Sequence, residues 1–248
     1  MTQYAFFFDE SRCVDCRACA VACRDWNDNE VGCAKFLRRF TWEEGTFPEL
    51  KMHTLFAPCY HCEEPACLKA CPNGAIVKED KYGAVLVDQE RCEGCRSCWD
   101  ACPYGAPRFA DDSPKTKMNK CNMCIDRLEQ GQMPVCANSC LTRALDFGPL
   151  SEMKGKYGEV QTLPGMPSPD TTKPSLVIKM APAKRKVVPY DADKARHLFG
   201  QRGDKLDPLY IDVSALTDIK PGTVRKNKLD MKIQSAEEAL EATRSDEW

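Results

Sequence analysis

Cys92-Glu93-Gly94-Cys95-Arg96-Ser97-Cys98-Trp99-Asp100-Ala101-Cys102-Pro103 decides how this chain is read. Three cysteines stand at every third position, a fourth follows four residues on, and proline closes the run. The device recurs three times. Cys13, Cys16, Cys19 and Cys23 keep the spacing, with Arg24 in place of the proline. Cys59, Cys62, Cys67 and Cys71 precede Pro72, and Glu63-Glu64-Pro65 fill a wider gap before the third cysteine. Cys121, Cys124, Cys136 and Cys140 carry eleven residues between the second and third. Sixteen of the seventeen cysteines fall into these four groups, and Cys33 is left over.

A tight turn can present three thiolates to three corners of a cube-shaped cluster, while the fourth cysteine lies past the turn and points away. This is the spacing of bacterial ferredoxins, where three thiolates hold one 4Fe–4S cluster and the fourth reaches a second. Four 4Fe–4S clusters are therefore expected as cofactors. The crossing rule gives Cys59, Cys62, Cys67 with Cys102, and Cys71 with Cys92, Cys95, Cys98. It gives Cys13, Cys16, Cys19 with Cys140, and Cys23 with Cys121, Cys124, Cys136. Structural zinc favours two C-x₂-C pairs a dozen or more residues apart. The fourth group alone could pass for that, so a zinc-structured interaction module is the rival from another class. Each cluster would have four thiolates and no vacant iron, and metal catalysis needs an open position. No catalytic residue is assigned: no Ser-His-Asp set, phosphate loop or dinucleotide fingerprint stands out. His61, between Cys59 and Cys62, could donate to a cluster sulfur or simply pack beside the loop. His53 and His197 read as solvent-facing or structurally satisfied, and Cys33 as a small buried hydrophobe.

All seventeen cysteines lie between Cys13 and Cys140 of a 248-residue chain. A disulfide scaffold suits short secreted chains; the clustered spacings argue for metal. With a mean hydropathy of −0.49, metal–thiolate bonds are expected to replace part of a hydrophobic core. The formal charge is −2, and four clusters at roughly −2 each would bring the loaded chain to about −10. Arg12, Arg17, Arg24, Lys69, Arg91, Arg96, Lys120 and Arg127 are interleaved with the cysteines. They read as solvated surface charge, or as cations that offset cluster charge. No run approaches the roughly 18 apolar residues of a membrane span, and no nucleic-acid partner is expected. The opening Met1-Thr-Gln-Tyr-Ala-Phe-Phe-Phe lacks a charged n-region and a cleavage site, so it reads as a strand and not as a signal peptide.

The fold class expected is α+β: two ferredoxin-like units, one inserted in the other, plus an extended C-terminal arm. Residues 1–58 are the first half of the outer unit with an insertion, 59–110 the central unit, 111–150 the second half of the outer unit, and 151–248 a partner-wrapping tail. Strands are expected at Tyr4–Phe8, Lys35–Trp42 and Lys51–Phe56. A central hairpin is expected from Ala75–Lys78 and Ala84–Asp88. Trp26 and Trp42 read as packing residues. Ile125–Val135 holds a short helix stopped at Gly131, and Leu141–Gly148 resembles the strand after the other groups. Gln161–Pro174 reads as an extended arm, Leu176–Met180 as a strand, and Ser235–Glu238 as a capping box.

Particular motifs carry a resemblance. They are Gln3-Tyr4-Ala5-Phe6-Phe7, His61-Cys62-Glu63-Glu64-Pro65-Ala66-Cys67, Cys102-Pro103-Tyr104-Gly105-Ala106-Pro107, Ala144-Leu145-Asp146-Phe147-Gly148-Pro149, and Thr172-Lys173-Pro174-Ser175-Leu176-Val177-Ile178-Lys179. Over about residues 1–180 the chain resembles the four-cluster electron-transfer subunits of the molybdopterin oxidoreductase superfamily, the dimethyl sulfoxide reductase iron–sulfur subunit above all. The resemblance implies a molybdenum or tungsten molybdopterin catalytic subunit as partner and an integral-membrane anchor that exchanges electrons with quinone. The function expected is a non-catalytic relay between the two in an anaerobic respiratory reductase. The alternative in the same class is the beta subunit of a soluble two-subunit enzyme without an anchor. Location would follow the partners: a membrane-associated complex, on the periplasmic face by co-export, or the cytoplasm if soluble. The tail after about Pro182 departs from the family's pattern.

Overall fold

A computed structural model describes residues 2–32, 34–46, 50–159 and 162–182, together with 197, 231, 232 and 235. Cys33, the capping box beyond Ser235 and most of the tail lie outside the described residues. Strand β1, Tyr4–Asp9, is the middle of a three-stranded sheet. It runs antiparallel to β6, Leu145–Pro149, with Phe6 opposite Phe147, and parallel to β7, Leu176–Lys179, with Phe7 opposite Val177. A middle strand covered on both faces needs a continuous apolar run, not an alternating one. Ala5, Phe6, Phe7 and Phe8 supply it and are at most 3% exposed. Phe6 and Phe8 face the main core with Phe56; Ala5 and Phe7 face a second, smaller cluster with Leu150 and Met153.

Between β1 and β6 lies the rest of the cysteine-bearing chain. Helix α1 is Ala18–Trp26, and the hairpin of β2, Arg38–Glu44, and β3, Lys51–Ala57, follows it. Strand β2 starts three residues later than expected. Its first rung pairs Arg38 with Ala57, and a residue one step earlier would face Pro58, which has no N–H to offer. Helix α2, Ala66–Lys69, precedes the central hairpin of β4, Ile76–Lys78, and β5, Val85–Val87. Helices α3, Ser97–Ala101, α4, Ile125–Glu129, and α5, Val135–Asn138, then carry the chain to β6. Trp42 is buried and its ring stacks on His53 with centroids 5.1 Å apart. Trp26 is a correction. It is 43% exposed, donates from Nε1 to Asp126 at 2.8 Å, and lies under the Arg127 guanidinium.

The internal repeat is visible in the backbone. Arg17 (φ 60°) and Arg96 (φ 66°) each follow the second cysteine of their group and take the left-handed conformation just before the helix that holds the third. Helix α3 ends ahead of Pro103, whereas α1 has Arg24 at the corresponding place and runs on to nine residues. Three residues past the fourth cysteines stand Gly74, Gly105 and Arg143, all left-handed (φ 59°, 58° and 54°). Glycine at 105 answers a second demand, since a Cβ there would sit 2.5 Å from the Met231 carbonyl oxygen. Met231 itself is buried in the main core.

The expectation of an extended arm from 151 onward needs correction as far as residue 182. Leu150–Tyr157 is helix α6, which closes one face of the sheet and stacks Tyr157 on Phe7 with ring centroids 3.5 Å apart. The stretch 162–174 includes a 3₁₀ turn at Pro169–Thr171 and then runs along the loop that bears Cys62. There the Glu63 N–H donates to the Lys173 carbonyl at 2.8 Å, the Glu64 N–H to Thr172 at 3.1 Å, and the Ser175 N–H to Tyr60 at 3.0 Å. Strand β7 then re-enters the sheet. An apolar strand such as Leu176-Val177-Ile178 is buried only by pairing, and β1 has one edge left to pair.

Candidate metal centres

The sixteen grouped cysteines carry no disulfide and gather at four places. Cys13, Cys16, Cys19 and Cys140 line one cavity, beside Phe8 and Arg39. Cys59, Cys62, Cys67 and Cys102 line a second, with Tyr60, Tyr104, Val85 and Lys120. Cys71, Cys92, Cys95 and Cys98 line a third, with Ile76, Phe109 and Met118. At the fourth place, Cys136 lies within electrostatic reach of Cys121, Cys23 and Cys124, where α5 packs on α1. In each set three thiols come from one group and one comes from another. The four places follow one another: Cys136 also feels Cys19, Cys121 feels Cys59, and Cys67 shares an apolar cluster with Cys98. Cys16 at one end and Cys95 at the other are exposed, while all four thiols of the Cys23 set are buried.

Burial pushes the Cys19 thiol up to about 11 and those of Cys23, Cys62 and Cys98 to about 12. A buried thiolate needs positive partners, and the fold supplies backbone donors by repetition. The Ala75 N–H donates to the Cys71 Sγ at 3.3 Å and the Ala144 N–H to the Cys140 Sγ at 3.2 Å. Ala106 donates likewise to Cys102. Each alanine is four residues past its cysteine and next to the left-handed residue, so the turn aims the N–H at sulfur. Cys92 and Cys121 accept from the backbone N–H groups of Met118 and Met123, both at 3.4 Å. Side chains add to this: Arg39 Nη2 lies 2.7 Å from the Cys13 Sγ, and Asn27 Nδ2 lies 3.8 Å from the Cys23 Sγ.

Of the interleaved basic residues, Arg12, Lys69 and Arg91 are surface charges. Lys120 and Arg127 are buried, contrary to a uniformly solvated reading. Lys120 Nζ donates to the carbonyls of Val85 and Cys121. His61 is fully buried and left-handed (φ 44°). Its Nδ1 accepts from the Val85 N–H at 2.9 Å, which leaves the proton of the neutral ring on Nε2. Burial, with Lys120 and Lys78 nearby, holds the ring well below the usual imidazole range. Nε2 is buried with no partner among the described residues, and the ring does not line the Cys59 cavity. His53 is structurally satisfied, bridging Glu10 at 2.8 Å and Glu44 at 2.9 Å. Sequence reasoning missed Arg38, Arg39 and Asn27. Their placement depends on how the β2–β3 hairpin and the end of α1 return to the cysteine loops, which no local spacing encodes.

The donor chemistry suits anionic iron–sulfur clusters. Four thiols stand around a cavity; among the described residues no three Cys, His, Asp or Glu are placed to close on one metal ion. The N–H groups aimed at sulfur are those that stabilise charge on a cluster and its thiolates. A family described as a 4Fe–4S dicluster domain matches residues 50–150. The iron–sulfur subunit of the anaerobic dimethyl sulfoxide reductase of Escherichia coli is 43% identical over 188 residues, covering 72% of this chain and 89% of that one. The corresponding subunit of Haemophilus influenzae is 40% identical over 190 residues, covering 72% and 90%.

The protein belongs to this family of iron–sulfur subunits.

It is an electron-transfer subunit of an oxidoreductase complex, non-catalytic in itself, with iron–sulfur clusters as its cofactor. The likeness extends to the iron–sulfur subunit of the sulfite dehydrogenase of Allochromatium vinosum, at 38% over 168 residues, 60% of this chain and 69% of that one. The iron-sulfur subunit of the nitrate-inducible formate dehydrogenase of Escherichia coli is 37% identical over 166 residues, 61% and 56%. Relatives named for different substrates share one iron–sulfur subunit plan, as a carrier separate from the chemistry it supplies would allow.

Proposed function

We propose that this subunit holds four 4Fe–4S clusters in a row and relays electrons between a molybdopterin catalytic subunit, with molybdenum or tungsten, and a quinone-linked membrane anchor. The observation that carries the reading is the row of four thiol sets with exposed thiols only at Cys16 and Cys95, its two ends. Cys13, Cys16, Cys19 and Cys140 would hold the first cluster, and Cys23, Cys121, Cys124 and Cys136 the second. Cys59, Cys62, Cys67 and Cys102 would hold the third, and Cys71, Cys92, Cys95 and Cys98 the fourth. When bound, each cluster supplies a one-electron centre. The protein's residues exclude water from the two middle places, aim N–H groups at sulfur, and leave one thiol edge open at each end for a redox partner.

The same reading nests the two units. The central one, around the β4–β5 hairpin, is entered from β1 by way of α1 and left through α4 and α5 to β6, so the outer unit closes around it. The catalytic partner is supported by relatives named for dimethyl sulfoxide, sulfite and formate chemistry. Among the described residues no helix is long and apolar enough to cross a membrane, so the quinone link falls to a partner. The complex would then be membrane-associated, with co-export placing it on the periplasmic face.

Anaerobic capture of the tagged chain from its native cells tests the partner set. Recovery of a molybdopterin subunit and a multi-span membrane protein is expected, in detergent extracts only. Recovery of the molybdopterin subunit alone, from a complex soluble without detergent, would replace this reading with the two-subunit one.

A further inference from the structure

We propose that Arg38 and Lys120 hold up the reduction potential of the site formed by Cys59, Cys62, Cys67 and Cys102. The inference rests on the reading above, in that it takes this site to hold a cluster. Lys120 lines the cavity and is 4% exposed. Its ammonium donates to two backbone carbonyls, those of Val85 and Cys121. Arg38 is buried too, and Tyr60, Cys102 and Cys59 act on its charge. Its Nη2 donates to the Tyr104 carbonyl at 2.7 Å and its Nη1 to the Met231 carbonyl at 2.9 Å. Among the described residues neither cation has a carboxylate partner. Carbonyls orient these cations without cancelling them.

A buried ion with no counter-ion is costly, and its field is little screened by salt. Two such cations beside one thiol set are balanced when that set carries an anion. An iron–sulfur cluster with four thiolates carries about −2, and one-electron reduction takes it to about −3 with no bond made or broken. The electron comes from a reduced redox partner, or from dithionite in a titration. The cations favour the more negative state.

At the other sites, cations described near sulfur have acidic neighbours. Arg39 at the Cys13 Sγ is paired with Asp15 at 3.0 Å. Arg96, near the Cys95 end, is partly exposed and faces Asp112 at 3.8 Å. Around Cys124, Arg127 and Asp126 act with opposite signs. Lys120 also donates to the carbonyl of Cys121 in the neighbouring set, so removing Arg38 or Lys120 acts most strongly, but not solely, on the Cys59 site.

The test is a redox titration of the native complex followed by electron paramagnetic resonance, with iron counted in each variant. Lys120→Gln keeps a hydrogen-bonding side chain and removes the charge. One midpoint is expected to fall by at least a tenfold change in the reduced-to-oxidised ratio, about 59 mV for one electron, while the other three move less. Arg38→Gln is expected to lower the same midpoint, and Lys120→Arg to leave all four in place. Full iron with unmoved midpoints in Lys120→Gln or in Arg38→Gln would overturn the inference. So would a Lys120→Arg shift as large as that of glutamine, or largest shifts that fall on different sites. Incomplete iron in the unsubstituted protein would instead count against the four-cluster reading.

Discussion

Alanine at both Cys67 and Cys102 is expected to remove no more iron than alanine at either one alone. Both thiols line the same cavity, although Cys102 belongs by sequence to the run that begins at Cys92. Each single change disables one site and costs at most about four of about sixteen irons. The double change disables that same site again, so the losses coincide. Cys98→Ala combined with Cys102→Ala is the contrasting pair. These residues are neighbours on and after α3, but Cys98 lines the other cavity, so the losses should add to about eight irons. Residues that act in one unit are non-additive, and residues in separate units add. Iron analysis of the three single and two double variants decides it, and the reverse pattern would mean that each run holds its own cluster.

Stripping the iron is expected to cost most of the tertiary structure. Helices α2, α3, α4 and α5 have four or five residues each, and an isolated helix needs roughly 12–15 residues to be even marginal in water. Each carries or adjoins a cysteine of one of the four sets. Cys19, Cys23, Cys59, Cys102, Cys121, Cys136 and Cys140 also belong to the main buried cluster. Without metal these thiols are held only by their own packing, and the segments between them lose their anchor points. The iron-free protein should bind a hydrophobic dye and show no cooperative thermal transition by circular dichroism. The outer sheet is the part most able to persist, because β1, β6, β7 and α6 bury aromatic and aliphatic side chains and contain no cysteine. An iron-free protein that melts as sharply as the loaded one would show that packing alone specifies the fold.

Spacing encodes local features, and those are the ones legible in the sequence. The cysteine groups and the short hairpin between Ile76 and Val87 follow from residue order alone. Crossing of the fourth cysteines is not local, but the doubled run makes it readable because each half has the same shape. The β7 strand is visible as an apolar segment. Its parallel partner is not, since the Phe7–Val177 rung joins opposite ends of the described fold. That pairing is why the arm expected from 151 folds back onto the sheet. Arg38 and Arg39 are invisible as site residues for a related reason. They sit on a strand whose alternation identifies it as a hairpin but does not tell which cysteines the hairpin will face. Trp26 misleads because an aromatic ring reads as core, while its indole N–H is satisfied by Asp126 on α4 at the surface.

The most direct measurement is the iron and acid-labile sulfide content of the anaerobically purified protein, with the electron spins counted after full reduction. Four 4Fe–4S clusters require about sixteen irons, about sixteen sulfides and four reducible centres per chain. About eight irons with two centres would mean that only one pair of the four thiol sets is occupied by clusters, and would contradict the proposed row.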